Sequence, residues 1–198
     1  VPKVDDQSKE VLPRDFTREV PAVAWKWLLQ YGLPYSYWKP ITGFTETESR
    51  LVLTHGRPIE TSVGRFIPSD RQNAGEGVRK WKQWGDKSRS ATVLEPKDSG
   101  SYEGVVVVED LISAHKVAQV CHCLPIFGTS LYPKAIQALR ALKRPVTLWL
   151  DEDQGEVLPR KINRLQTFLD VPVRFVKTRK DPKDYSPQEI KEILDIHS

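Results

Sequence analysis

Methionine is absent from all 198 residues, even at position 1. A natural translation product opens with methionine unless trimmed, so the sequence reads as starting inside a longer polypeptide, with more expected before Val1. Cysteine is nearly absent too: Cys121 and Cys123 are too close for a framework disulfide, which points to a reducing, intracellular setting. Their spacing also argues against zinc, since paired zinc cysteines leave at least two residues between them; buried or surface thiols are the simpler reading. No apolar run approaches the roughly 20 residues that span a bilayer, and no signal peptide is visible, so no membrane partner is expected. Nor is there a strong charge imbalance. The net charge of +4 favours an anionic partner only mildly.

What remains is an ordinary globular composition, 39% hydrophobic and 28% charged, in a chain long enough for one large domain or two small ones. Residues 1–14 are polar and aperiodic and read as a linker or tail. Residues 15–100 read as a smaller, basic α+β subdomain. Within it, Asp15 to Glu19 offers a helix start, with Val23, Trp27, Leu28 and Tyr31 on one face and Gly32 as the stop. A short element follows over Pro34 to Lys39. Arg50 to Thr54 reads as a strand entering a turn at His55-Gly56, with Ile59 to Phe66 as its partner. Ser69 to Gly77 is turn-rich and reads as a loop. Lys97 to Gly104 marks the boundary.

Residues 101–198 alternate strand and helix, which implies α/β architecture with a parallel sheet. Strands are expected at 105–108, 146–150 and 173–176. Helices are expected from Leu111 to about Cys121, after Pro133 with Ala135, Ile136, Leu139 and Leu142 inward, and from about Glu156 to Leu169. Ser186-Pro187-Gln188-Glu189 is a capping box opening a last helix.

Two of these strands end abruptly in carboxylates, Glu109-Asp110 after the first and Asp151-Glu152-Asp153 after the second. Ligands of open parallel sheets bind at the carboxyl ends of strands. Adjacent strands would therefore aim Glu109, Asp151 and Asp153 at one point, where mutual repulsion calls for a hard cation such as magnesium or manganese. Asp110 and Glu152 are expected to point elsewhere.

Glu109 after a valine strand, Gly128-Thr129-Ser130, and Asp151-x-Asp153-x-Gly155 after the next strand together resemble the Toprim fold, over about residues 103–185. Gly64-Arg65 and Arg79-Lys80-Trp81 resemble stations of the subdomain that precedes Toprim in bacterial-type primases. The span from about Asp15 to Ile196 is similar to the RNA-polymerase core of phage and plasmid primases. Lys180-Asp181-Pro182 resembles the station where a further acid faces the metals. The family carries a second aspartate two residues later; here that position is Lys183, with Asp184 beyond it. Arg79 likewise replaces the family's usual proline.

The resemblance implies a Toprim domain with a parallel sheet flanked by helices, and a DNA primase activity: short RNA primers made on single-stranded DNA by two-metal nucleotidyl transfer. It implies Glu109, Asp151 and Asp153 as catalytic ligands of Mg2+ or Mn2+, with Asp181 completing the set; Glu109 is alternatively a general base. It further implies single-stranded DNA and nucleoside triphosphates as partners, a replicative helicase as a candidate partner, and a cytoplasmic setting in a bacterial cell or phage-infected host. The zinc-binding module that such primases carry has no ligand set in this sequence.

Lys80, Lys82, Lys87 and Arg89, interleaved with Trp81 and Trp84, suit single-stranded nucleic acid, the cations tracking phosphates and an indole stacking on a base. The competing reading is an amphipathic strand with tryptophans inside and lysines in water. Arg65 either meets a phosphate through its bidentate fork or makes a surface ion pair. Gly128-Thr129-Ser130 either opens a helix that receives a phosphate or is a tight turn needing glycine. Trp25, Trp27, Trp38 and Trp149 are assigned to packing, and His115 to surface or core. Two further functions fit the carboxylates: a metal-dependent nuclease, or a non-catalytic nucleic-acid-binding module.

Overall fold

The structure, a computed structural model, describes residues 10–68, 77–97, 102–151 and 158–196. Asp153, Glu152, Gly155 and most of the turn-rich stretch after Ser69 lie outside the described residues. The chain divides into two compact units at Lys87–Ser88. No helix among the described residues is long and apolar enough to cross a membrane.

The first unit is an antiparallel meander of β1 (Thr42–Thr45), β2 (Arg50–His55), β3 (Thr61–Phe66) and β4 (Trp81–Trp84), in that spatial order. It carries two short helices, α1 (Ala22–Leu29) and α2 (Tyr35–Trp38). The β2–β3 hairpin turns at Gly56, whose φ of +92° suits glycine. Its core includes Ala24, Leu28, Trp38, Leu51, Val52 and Leu53, all essentially sealed from solvent.

The helix expected from Asp15 does not start there. Thr17 instead bridges Phe44 antiparallel, with backbone bonds of 3.0 and 2.9 Å. Pro21 explains the difference: it caps α1 from outside, and a helix running through it would lose a backbone hydrogen bond and disfavour α geometry at Val20. With the start moved, Val23 turns outward, 53% exposed, and Ala24 and Leu28 face the core.

The second unit is a mixed α/β body around a four-stranded parallel sheet: β5 (Val105–Val108), β6 (His122–Pro125), β7 (Val146–Trp149) and β8 (Val173–Val176). Its helices are α3 (Leu111–Val117), α4 (Pro133–Leu142), α5 (Leu158–Phe168) and α6 (Pro187–Ile196). Period-two alternation splits the strand side chains between two faces. Val105, Val107, Val146 and Leu148 pack with Ala135, Ile136 and Leu139 of α4 and Leu165 of α5. Val106, Val108 and Trp149 pack with Ala114 and Val117 of α3 and Ile190 and Leu194 of α6. Because both faces are covered, these strands read as unbroken apolar runs rather than as alternating ones.

The capping box opens α6 as expected: Ser186 N donates to Glu189 Oε2 (2.7 Å), and Glu189 N donates to Ser186 Oγ (3.2 Å). Strand β6 was not expected. His-Cys-Leu-Pro is a poor strand signature, yet parallel pairing with β5 and an antiparallel bridge from Cys123 to Leu94 hold it from both sides. The same bridge ties residues around Leu94 to this unit. Helix α3 ends at Val117, short of Cys121, and both thiols are buried in the core.

Candidate active site

The strand order β6-β5-β7-β8 fixes where a site can form. From β5 the chain leaves through α3 toward β6 on one side; from β7 it leaves through α5 toward β8 on the other. The two connections diverge, which opens a crevice at the carboxyl ends of β5 and β7, the switch point of a doubly wound sheet. Glu109 follows β5 directly, and Asp151 lies two residues beyond β7. Buried valines and leucines pull each strand into the core up to the point where the carboxylates begin.

Glu109 and Asp151 lie next to each other there, close enough for their carboxyls to share a proton. Burial raises the pKa of Asp151 above the usual aspartate value, and the charges of Asp181 and Asp110 push it further; the Glu109 bond and the Lys183 ammonium oppose the rise. Asp151 is therefore a partly buried carboxylate with two further acids beside it, whose effect Lys183 opposes.

Asp110, expected to point away, belongs to this cluster. It caps α3, accepting from Ser113 N (2.9 Å) and Ser113 Oγ (2.7 Å), and capping turns its remaining acceptor capacity toward Lys183. The signal was present in the sequence as Asp110-x-x-Ser113 ahead of an apolar run. Asp181 precedes a single 3-10 turn, Pro182–Asp184, and its Oδ2 lies 2.9 Å from Lys183 Nζ. The turn docks on α3 through Lys183 N, which donates to Ser113 Oγ (3.3 Å). Burial would lower the pKa of Lys183, but the Asp110 and Asp181 carboxylates outweigh it and hold the ammonium well above its ordinary value. Asp184 is exposed and acts instead on Lys116 of α3.

Among the described residues, no three histidine, cysteine, aspartate or glutamate side chains are already arranged to hold a metal ion. The donor chemistry nevertheless suits a hard cation: Glu109 and Asp151 offer only carboxylate oxygens, and a divalent ion would favour the ionised form of Asp151 that burial and its acidic neighbours oppose. The thiols are poor ligands by contrast. Burial pushes Cys121 up to about 12 and Cys123 well above its ordinary value, so neither is a thiolate at neutral pH.

Gly128 bends the backbone beside the carboxylates. Its φ is +137°, Phe127 before it is at +52°, and its amide donates to the Glu109 carbonyl (3.1 Å). Helix α4 starts only at Pro133, so Gly128-Thr129-Ser130 is a turn rather than a helix start.

Of the basic stations, Arg65 and Lys82 are engaged by neighbouring side chains. The Arg65 guanidinium lies 5.2 Å from the Trp27 ring centre and 5.8 Å from that of Trp81, and Trp27 meets Trp81 edge-on at 5.8 Å. Burial lowers the Arg65 pKa, against an opposing influence from Tyr31. Two indoles thus lie against the guanidinium, and its Nε and Nη1 have no hydrogen-bond partner among the described residues. Trp81 is 39% exposed, so it is not the core residue of the amphipathic-strand reading, whereas Trp84 is buried. Their spacing of three puts them on opposite faces of β4. Lys82 Nζ is tied to Glu48 at 2.6 and 2.8 Å. Lys80, Lys87 and Arg89 are exposed, the last two in a 3-10 turn, Lys87–Arg89. Gly64 has a packing reason: a Cβ there would lie 2.5 Å from the Trp84 ring.

Trp38 and Trp149 are fully buried, as assigned, and His115 is buried on α3. The described cavity of about 380 Å³ is remote from the carboxylates. Tyr102, Pro145 and Pro172 line it, each just ahead of a strand, at the opposite edge of the sheet. Its Arg174 is already bound to Thr147 (3.1 Å) and Tyr102, so the carboxylate crevice carries the functional argument. No protein-family profile matches the chain, and neither does any curated protein or solved structure.

Proposed function

We propose that the chain is the catalytic core of a Toprim-type DNA primase, making short RNA primers on single-stranded DNA. The observation that carries this reading is the Glu109–Asp151 pair, set at the ends of adjacent parallel strands where the sheet's connections diverge. Asp153 belongs to the proposed set on sequence grounds alone. A bound Mg2+ or Mn2+ would supply Lewis-acid activation of the incoming triphosphate. The chain's own part is to hold that ion from Glu109 and Asp151, and to keep a carboxylate oxygen near the primer 3′-hydroxyl as proton acceptor. Asp110 anchors the start of α3 behind the crevice, and the exposed Lys80 and Lys87 offer charge to a template backbone.

A metal-dependent nuclease is the second reading, and one observation favours it. Lys82 is paired with Glu48 and Arg65 lies against two indoles, so each already has a partner that a template phosphate would compete with. The experiment offers labelled nucleoside triphosphates, single-stranded DNA and Mg2+ or Mn2+ to the wild type and to Asp151→Ala. Short metal-dependent products lost in the variant are the expected result. Cleavage of labelled DNA without synthesis moves the assignment to a nuclease. Inactivity in both assays, with the fold intact, leaves the non-catalytic binding reading.

A further inference from the structure

Lys183 lies inside the acid cluster rather than beside it. Its ammonium is 2.9 Å from Asp181 Oδ2 and 3.4 Å from Asp110 Oδ2, with the side chain 23% exposed. The backbone fixes it there. Lys183 N donates to Ser113 Oγ (3.3 Å), and that hydroxyl donates to Asp110 Oδ2 (2.7 Å). The 3-10 turn, the cap of α3 and the ammonium form one closed arrangement, unlike a lysine swinging over a surface. Asp110 and Asp181 pair directly with Lys183, whose charge also acts on Asp151.

We propose that Lys183 is a built-in counter-cation that removes Asp110 and Asp181 from the ligand set, so that the crevice beside Glu109 and Asp151 takes up one divalent ion. This rests on the metal-site reading above and revises the two-metal expectation of the sequence resemblance. A second divalent ion drawing on Asp181 would have to displace the ammonium or share its oxygens, and the like charges oppose both.

The test counts Mn2+ bound to the full chain by electron paramagnetic resonance and calorimetry, without nucleotide. Wild type is expected to bind one equivalent. Lys183→Arg keeps that count, because the charge remains. Lys183→Asp gains a second equivalent, and Lys183→Met binds Mn2+ at least tenfold more tightly or gains a second. Asp151→Asn weakens the single site at least tenfold. Thermal unfolding with and without Mn2+ on the same samples verifies the fold of each variant. Two equivalents on the wild type overturn the proposal. So do wild-type count and affinity in both Lys183→Asp and Lys183→Met while Asp151→Asn weakens binding; that pattern leaves the metal site standing. No Mn2+ on the wild type or any variant overturns the metal-site reading and this inference together.

Discussion

In the first unit Asp15 accepts three hydrogen bonds, from Thr45 Oγ1 (2.6 Å), Thr47 N (2.9 Å) and Thr47 Oγ1 (3.0 Å). The Thr45 bond foremost, then the Thr47 amide, hold its carboxyl down at about 2. In the second unit Asp151 is raised above the ordinary value by burial and by Asp181 and Asp110. The same side chain is thus satisfied in one unit and crowded in the other. The cations divide likewise. Lys82 and Arg50 of the first unit both pair with Glu48, and Arg65 lies against indoles, whereas Lys183 is set among carboxylates of like charge. Sheet type accounts for the contrast. Parallel strands all deliver their carboxyl ends to one edge, so charges following them accumulate; an antiparallel meander sends alternate ends to opposite edges. Satisfied charge is structural, and crowded charge in a crevice is where chemistry is sought.

Replacing each aspartate by alanine sharpens that contrast most. In the proposed primer-synthesis assay, Asp151→Ala is expected to cost on the order of 10²-fold or more, the scale of losing a group that stabilises developing charge. Asp15→Ala leaves the rate unchanged and lowers only the melting temperature. Equal losses of activity in both would remove the distinction between the two carboxylates.

Packing in the first unit is broken next. Gly64→Val forces a branched side chain onto the Trp84 ring and is expected to destabilise this unit by about 1–3 kcal/mol, read by denaturant titration of tryptophan fluorescence. Unchanged unfolding would mean that Gly64 is needed for something other than packing. A smaller loss, about 1 kcal/mol, is expected for Asp110→Ala, which deletes the α3 cap. If Asp110 also helps hold the Asp181 turn, hydrogen exchange at the Lys183, Asp184 and Tyr185 amides quickens in that variant.

The smallest effects are in pH dependence, and they carry opposite signs. The lowered pKa of Asp15 means that its stabilisation is complete above the ordinary value of 3.8 and is lost as pH falls toward about 2. Asp15→Asn therefore melts lower than wild type at neutral pH and coincides with it at the acid end. The raised pKa of Asp151 means that its ionised form weighs against the fold at neutral pH, and that the cost disappears below the ordinary value of 3.8. Asp151→Asn should melt a few degrees higher near pH 7 without metal and lose that advantage in acid. Saturating Mn2+ should reverse the order, because only the wild type retains the charged ligand.

Much of the second unit was legible because its signals are local. Ser186 and Glu189 are one turn apart, Pro133 sets the start of α4, and the valines of β5 announce a doubly covered strand within four residues. Strand β6 was not legible, since its Cys-Leu-Pro run becomes a strand only through β5 and Leu94. The position of α1 was misread although Pro21 was in plain view, because the apolar spacing from Val23 to Tyr31 outweighed it. The strand-end positions of Glu109 and Asp151 were legible, since they follow from the apolar run before each. It was not legible at Lys183, which sequence presents only as an interruption in an acidic station.

The sequence by itself determined the alternation of strand and helix in the second half, the caps, and the placing of carboxylates where strands stop. Each depends on residues within a few positions, where periodicity and backbone preference act directly. The tertiary structure decided which strands are neighbours, and so which carboxylates share a crevice. It alone enclosed Arg65 with Trp27 and Trp81, and set Lys183 between Asp110 and Asp181. Those pairings join residues far apart in the chain, and burial of both sheet faces, rather than any local preference, brings them together.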